Sequence, residues 1–219
     1  MNFKQLLHYG LLIFACLAAS ISQAETIKNT CSANKLVVFG DSLVAGYGLD
    51  PGMAYPEQLG KVLADKGYRV EVINAGLSGD TTSGGLERLE WSIGTSADAV
   101  ILELGANDAL RGIPVENTRS NLDRMISWLK AQNTKVLLVG MMAPPNMGST
   151  YGDAFNQIYP DLAEKHQVGL YPFFLESVAA VPELNQPDGI HPTKEGISII
   201  VEKTLSRVEN LIKSVCETE

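Results

Sequence analysis

Five short aliphatic runs constrain this chain more than any other feature of its sequence. Leu36–Phe39, Val70–Ile73, Ala99–Leu104, Lys135–Val139 and Val168–Tyr171 are rich in Val, Leu and Ile and alternate little with polar residues. That is the pattern of parallel strands covered on both faces. Helical periodicity lies between and after them. Pro56–Lys66 carries Leu59, Val62 and Leu63 on one face, and Val115–Gln132 repeats Leu122, Met125, Ile126 and Leu129. Asp153–His166 and Lys194–Val215 complete the set. The alternation predicts an α/β fold, a three-layer α/β/α sandwich around a five-stranded parallel sheet with right-handed crossovers. A chain of 219 residues, 45% of them hydrophobic, has room for one such domain. The longest stretches without periodicity, Met141–Thr150 and Val178–Pro192, are expected as loops.

Residues 1–24 read as a segment outside that domain. Lys4 gives a short basic start, Leu11–Ala19 is apolar but too short to span a bilayer, and Ser22-Gln23-Ala24 puts small residues at both cleavage-site positions. This is the pattern of a secretory signal peptide, leaving a single domain over 25–219 and a periplasmic or secreted product. A lipid anchor on Cys16 is the alternative, with bulky Phe14 standing against it; otherwise no stable membrane anchor is expected. Export leaves Cys31 and Cys216, which are a disulfide candidate in an oxidising compartment. Such a bond would close a long loop and contribute about 5 kcal/mol in the chain-entropy model. The other reading is two unpaired thiols near the chain ends. A net charge of −8 and a pI near 4.9 disfavour nucleic acid and anionic lipid as partners.

In an open parallel sheet, ligands bind beyond the carboxyl ends of the strands. Three of those ends carry turns with chemical potential. After the first run comes Gly40-Asp41-Ser42-Leu43, which places a hydroxyl where backbone N–H groups favour negative charge. After the second comes Asn74-Ala75-Gly76-Leu77-Ser78-Gly79-Asp80, a turn that brings amides close to a ligand with few side chains in the way. After the third comes Gly105-Ala106-Asn107-Asp108, where an Asn amide can donate into the same crevice. Each is also an ordinary turn or helix cap when taken alone. Near the C-terminus, Asp188-Gly189-Ile190-His191-Pro192 sets a carboxylate and an imidazole three residues apart, close enough to hydrogen-bond. His166 follows Glu164 and Lys165 and reads as a solvated residue at a helix end. That leaves His191 as the base.

In this order the four blocks resemble the GDSL-type SGNH hydrolases, named for a Ser, a Gly, an Asn and a His. Ser42, Gly79, Asn107 and His191 fall on those positions. The resemblance runs from Leu36 through the last helix. Gly40 to Gly48 and Leu104 to Gly112 are similar in particular to the branch of periplasmic acyl-CoA thioesterase I, lysophospholipase L1 and bacterial arylesterases. It implies a serine hydrolase of carboxylic esters or thioesters, with a catalytic triad of Ser42, Asp188 and His191. It also implies an oxyanion hole made by the backbone N–H groups of Ser42 and Gly79 and the side chain of Asn107. The substrate would be a small-molecule acyl ester or thioester, and the protein a monomer or small homo-oligomer. No cofactor is expected. Asp41 reads as a structural cap and Asp108 as a turn carboxylate. Two aspartates without a His cluster make a poor metal site, and no metal-ligand spacing appears elsewhere.

Specificity is encoded weakly. Leu110 and Ile113 follow the Asn block; Met141, Pro144 and Met147 follow the fourth run. These mixtures of apolar residues and turn formers would border the crevice as an acyl trough, methionine being adaptable. They could equally be packing beneath loops, leaving a small-acyl esterase of envelope carbohydrate or a noncatalytic binding protein as alternatives. Gly46-Tyr47-Gly48 has the look of a nucleotide-binding turn. No Gly-x-Gly-x-x-Gly follows a strand, however, and no Gly-Lys-Ser/Thr phosphate loop is present.

Overall fold

The computed structural model describes residues 35–216. Its strands are β1 (Lys35–Gly40), β2 (Glu71–Gly76), β3 (Ala99–Glu103), β4 (Lys135–Val139) and β5 (Gly169–Tyr171). The helices are α1 (Ser42–Ala45), α2 (Tyr55–Asp65), α3 (Thr82–Ile93), α4 (Ala106–Leu110), α5 (Val115–Ala131), α6 (Ser149–Asn156), α7 (Ile158–His166) and α8 (Lys194–Cys216). All strand pairs are parallel, in the order β2-β1-β3-β4-β5. The chain therefore leaves β1 in one direction to β2 and then crosses to β3 and onward in the other. Right-handed crossovers put the helices of those two courses on opposite faces. Accordingly α2 packs on α8 across one face, and α5 packs on α3 and α7 across the other.

The three central strands are covered on both sides. From Leu36 to Gly40 and from Ala99 to Glu103 every residue is buried, which is why their sequences show no alternation. Strand β2 lies at an edge and is only half buried, so its aliphatic signal fades at Ile73 while the strand runs on through Asn74-Ala75-Gly76. The stretch between β2 and β3 forms α3, a helix that the hydrophobic pattern does not announce. Its first turns carry Gly84 and Gly85, poor helix formers, and its start comes from Thr81, whose hydroxyl caps the N–H of Gly84. The expected helix Asp153–His166 is two helices. It begins earlier, at Ser149, and the chain bends at Gln157, which ends α6 and starts α7.

Register sets the height of the functional turns. Gly40 pairs with Gly76, and Phe39 with Leu102, so β1, β2 and β3 end at one level. The reversal of strand order falls between β1 and β3, and the crevice at such a switch point is the usual ligand site. Close approach there needs glycine: a Cβ on Gly76 would lie 2.2 Å from the backbone nitrogen of Ala45. Among the described residues no helix is long and apolar enough to cross a membrane. Residues 1–24, expected as a signal peptide, with Cys16, the alternative anchor site, and Cys31 lie outside the described residues, as does the side chain of Cys216.

Candidate active site

Asp188 opens a tight turn. Its Oδ1 accepts the backbone N–H of Ile190 at 2.9 Å and that of His191 at 3.0 Å, and Gly189 in between takes a φ of 70°. The other carboxylate oxygen lies 2.7 Å from His191 Nδ1. Hydrogen bonds from the His191 backbone and ring, then from Ile190, hold the Asp188 carboxyl down at about 2. An ionised carboxylate only accepts, so Nδ1 carries the ring proton and Nε2 is left as an acceptor. Ser42 Oγ lies 2.8 Å from Nε2, from a position 149 residues earlier in the chain, and donates to it. Carboxylate, imidazole and hydroxyl thus form one directed relay, which can draw the Ser42 proton away as the oxygen attacks a carbonyl carbon.

Ser42 is the first residue of α1, and Asp41 is its N-cap. Asp41 Oδ1 accepts the N–H of Leu43 at 2.9 Å, the capping role its position suggests. Its Oδ2 accepts Asn107 Nδ2 at 3.1 Å. That contact uses one of the two N–H groups of the Asn107 amide and leaves the second to face a ligand. Among the described residues, no acceptor meets the backbone N–H of Ser42 or of Gly79. Free donors in the turns after β1 and β2, with the Asn107 amide in the first turn of α4, are the kind of groups a developing oxyanion requires. Gly79, at a φ of 81°, is held from behind: its carbonyl accepts from Arg111 Nη2 at 2.9 Å.

Beneath Ser42 lies a second carboxyl group. Glu103, the last residue of β3, is fully buried, and its Oε2 accepts the N–H of Asp41 at 3.4 Å. Burial first, then the Asp41 charge, pushes Glu103 well above the ordinary carboxylate range. Asp41 is itself raised to about 6 by burial, against the pull of its Leu43 and Asn107 hydrogen bonds. Nothing in the sequence patterning marks Glu103, which sits in an aliphatic strand.

Arg88 on α3 is another residue that sequence reasoning missed. Its guanidinium donates to Asp80 Oδ2 at 2.7 Å, to the Ala75 carbonyl at 2.9 Å and to the Gly40 carbonyl at 2.9 Å, and it stacks 4.0 Å from the Phe39 ring centre. It therefore ties the ends of β1 and β2 to the turn that carries Gly79. Asp108 is more than a turn carboxylate. It is buried and accepts the Thr82 N–H at 2.8 Å, the Thr82 hydroxyl at 2.5 Å and the Thr118 hydroxyl at 3.1 Å, bracing the starts of α3 and α5. His166 is at a helix end as expected, but it is not solvated: its Nε2 lies 2.6 Å from Asp123, which also takes Lys165.

The five residues expected in a substrate trough divide. Leu110 is exposed; Ile113, Pro144 and Met147 are partly exposed. Met147 Cε reaches to within 3.3 Å of where a Cβ on Gly112 would stand, and Tyr151 donates to the Ile113 carbonyl at 2.8 Å, so the two loops meet. Met141 instead is 5% exposed and packs in the core, while Met142 is 52% exposed. Both methionines lie past the end of β4 at Val139, the first turned inward and the second outward. Tyr47, Leu77 and Ile190 are further exposed apolar residues, each within a few positions of Ser42, Gly79 or His191. A cavity of about 790 Å³ at the amino-terminal end of β4, lined by Lys130, Lys135, Gln167 and Arg207 among others, contains none of these residues. Among the described residues, no group of three or more His, Cys, Asp or Glu could hold a metal ion.

Residues 38–198 match the model of the GDSL-like Lipase/Acylhydrolase family. The chain belongs to that family. Within it, the chain is 44% identical over 194 residues to an arylesterase of Vibrio mimicus, covering 88% of this chain and 92% of that protein. It is 37% identical over 182 residues to thioesterase 1/protease 1/lysophospholipase L1 of Escherichia coli, covering 83% and 86% of the two chains. A crystal structure of TesA superposes with a TM-score of 0.78 at 39% identity, covering 81% of this chain and 99% of that one. The three-layer GDSL fold and the hydrolase class of this chain follow from these likenesses.

Proposed function

We propose that this protein is an exported serine hydrolase of carboxylic esters and thioesters, acting through an acyl-enzyme on Ser42. The relay from Asp188 through His191 to Ser42, with 2.7 Å and 2.8 Å links, carries the reading. Ser42 Oγ attacks the acyl carbonyl while His191 Nε2 takes its proton. Asp188 holds the ring and balances the imidazolium. The Ser42 and Gly79 N–H groups and the Asn107 amide receive the oxyanion. His191 returns the proton to the departing alcohol or thiol, and water then releases the acid by the same steps in reverse.

The exposed side chains of Tyr47, Leu77, Leu110, Met142 and Ile190 favour an apolar acyl or aryl substituent. Relatives named arylesterase and thioesterase 1/lysophospholipase L1 support the same substrate range. The signal-like residues 1–24 support export to the periplasm or beyond. The test is hydrolysis of p-nitrophenyl esters, acyl-CoAs and lysophospholipids by purified protein and its Ser42→Ala variant. The variant should lose about 10⁴–10⁶-fold in kcat. Undiminished turnover by the variant would end the mechanism, and a steep fall in rate beyond acetyl esters would contradict the apolar rim.

A further inference from the structure

The Asp188–His191 turn sits in a stretch, Val178 to Pro192, whose only helical element is a single 3₁₀ turn at Pro182–Leu184. It meets the Ser42 turn from a distant part of the chain. A single Ser–His hydrogen bond contributes too little to hold two loops in register. The side chain of Gln186 spans them. Its Nε2 donates to the Tyr47 carbonyl at 2.7 Å and to the Pro192 carbonyl at 2.9 Å, using both amide hydrogens. Its backbone N–H donates to the His191 carbonyl at 2.7 Å, and its own carbonyl accepts from Gly189 at 2.9 Å. On the other side, the Tyr47 N–H donates to the Ser42 carbonyl at 3.1 Å. The Tyr47 ring packs against the His191 imidazole, with ring centres 4.6 Å apart.

We infer that Gln186 is a positioning residue for the reaction, its carboxamide strapping the peptide after the nucleophile to the loop that holds the base. This rests on the catalytic reading of Ser42 and His191. It also accounts for Gly46-Tyr47-Gly48. Gly46, at a φ of 77°, ends α1 and turns the chain so that Tyr47 faces the base loop. Gly48, at 73°, leaves room for the strap, because a Cβ there would stand 2.2 Å from Gln186 Oε1. The side chain must be an amide, since two carbonyls require two N–H donors and a carboxylate of the same size has none.

The strap acts on geometry, and a misplacement near 1 Å between reacting groups costs about 100-fold in rate. The experiment compares wild type, Gln186→Ala, Gln186→Glu and Gly48→Ala, with and without Gln186→Ala. It reads the rate of phosphonylation by a fluorophosphonate, the kcat and KM for p-nitrophenyl butyrate per titrated active site, and the melting temperature. Both Gln186 variants should lose about 10–100-fold in kcat and in phosphonylation rate, with KM changed by less than about threefold. Gly48→Ala should cost less in the Gln186→Ala background than in wild type, because the clash is with the strap. Wild-type phosphonylation rates in both Gln186 variants would overturn the strap, as would rate losses that merely follow a fall in melting temperature. Failure of wild type to be phosphonylated at Ser42 would instead overturn the catalytic reading.

Discussion

Around Ser42, two buried carboxyl groups, Asp41 and Glu103, lie within one hydrogen-bonded chain. Burial raises both: Glu103 well above the ordinary carboxylate range, and Asp41, which caps α1 and holds the Asn107 amide, to about 6. Replacing Asn107 with Ala removes one of the three proposed oxyanion donors and should lower kcat by about 10²–10³-fold, read with any activated ester. The raised Asp41 pKa has a defined consequence for stability. Between its ordinary value of 3.8 and about 6, the folded state binds more protons than the unfolded state. The stability from Asp41 is therefore full below 3.8 and is lost as pH rises through 6. Asp188 runs the other way: its contribution is present above 3.8 and fades as pH falls toward 2, weakly because the group is exposed. Urea midpoints measured from pH 4 to 7 should show a destabilising trend that shrinks in Asp41→Asn. An unchanged trend in that variant would contradict the assignment.

At the scale of elements, α3 and the turn before it decide how the donors are held. Arg88 and Asp80 have side chains only 15% and 6% exposed, and the same guanidinium fixes the carbonyls that end β1 and β2. Removing one partner of a buried pair strands the other charge, so Arg88→Ala should cost about 3–5 kcal/mol. For a chain of this size that is a fall in melting temperature on the order of 10 °C. Lys should rescue poorly, because one ammonium cannot replace a planar fork that reaches four acceptors, Asp80, the Ser92 hydroxyl and the Ala75 and Gly40 carbonyls. This helix also marks where the sequence was hardest to read. Strands β1, β3 and β4 are buried on both faces, so each appears as an uninterrupted aliphatic run. Helix α3 carries two glycines near its start and buries few large side chains, so its period is faint. Met141 and Met142 are neighbours in a loop past β4, and spacing alone does not tell which one faces inward. Glu103, Arg88 and Gln186 act through long-range contacts that one-dimensional spacing does not contain.

Across the whole molecule, one topology serves one proposed chemistry. The strand order reverses between β1 and β3, the turns at that switch carry the Ser42 hydroxyl and the proposed donors, and the segment after β5 brings His191, the proposed base, to Ser42. The four signature residues were legible because each follows a strand end or forms a local turn, and those positions have residue signatures of their own. The contact between Ser42 and His191, 149 residues apart, needed the fold. The most direct measurement is mass-spectrometric mapping of the protein after reaction with a fluorophosphonate. One phosphonyl group per chain, found on the peptide containing Ser42 and absent from both the Ser42→Ala and His191→Ala proteins, is the predicted result. A wild-type protein that stays unlabelled, or that carries the group on another residue, would contradict it.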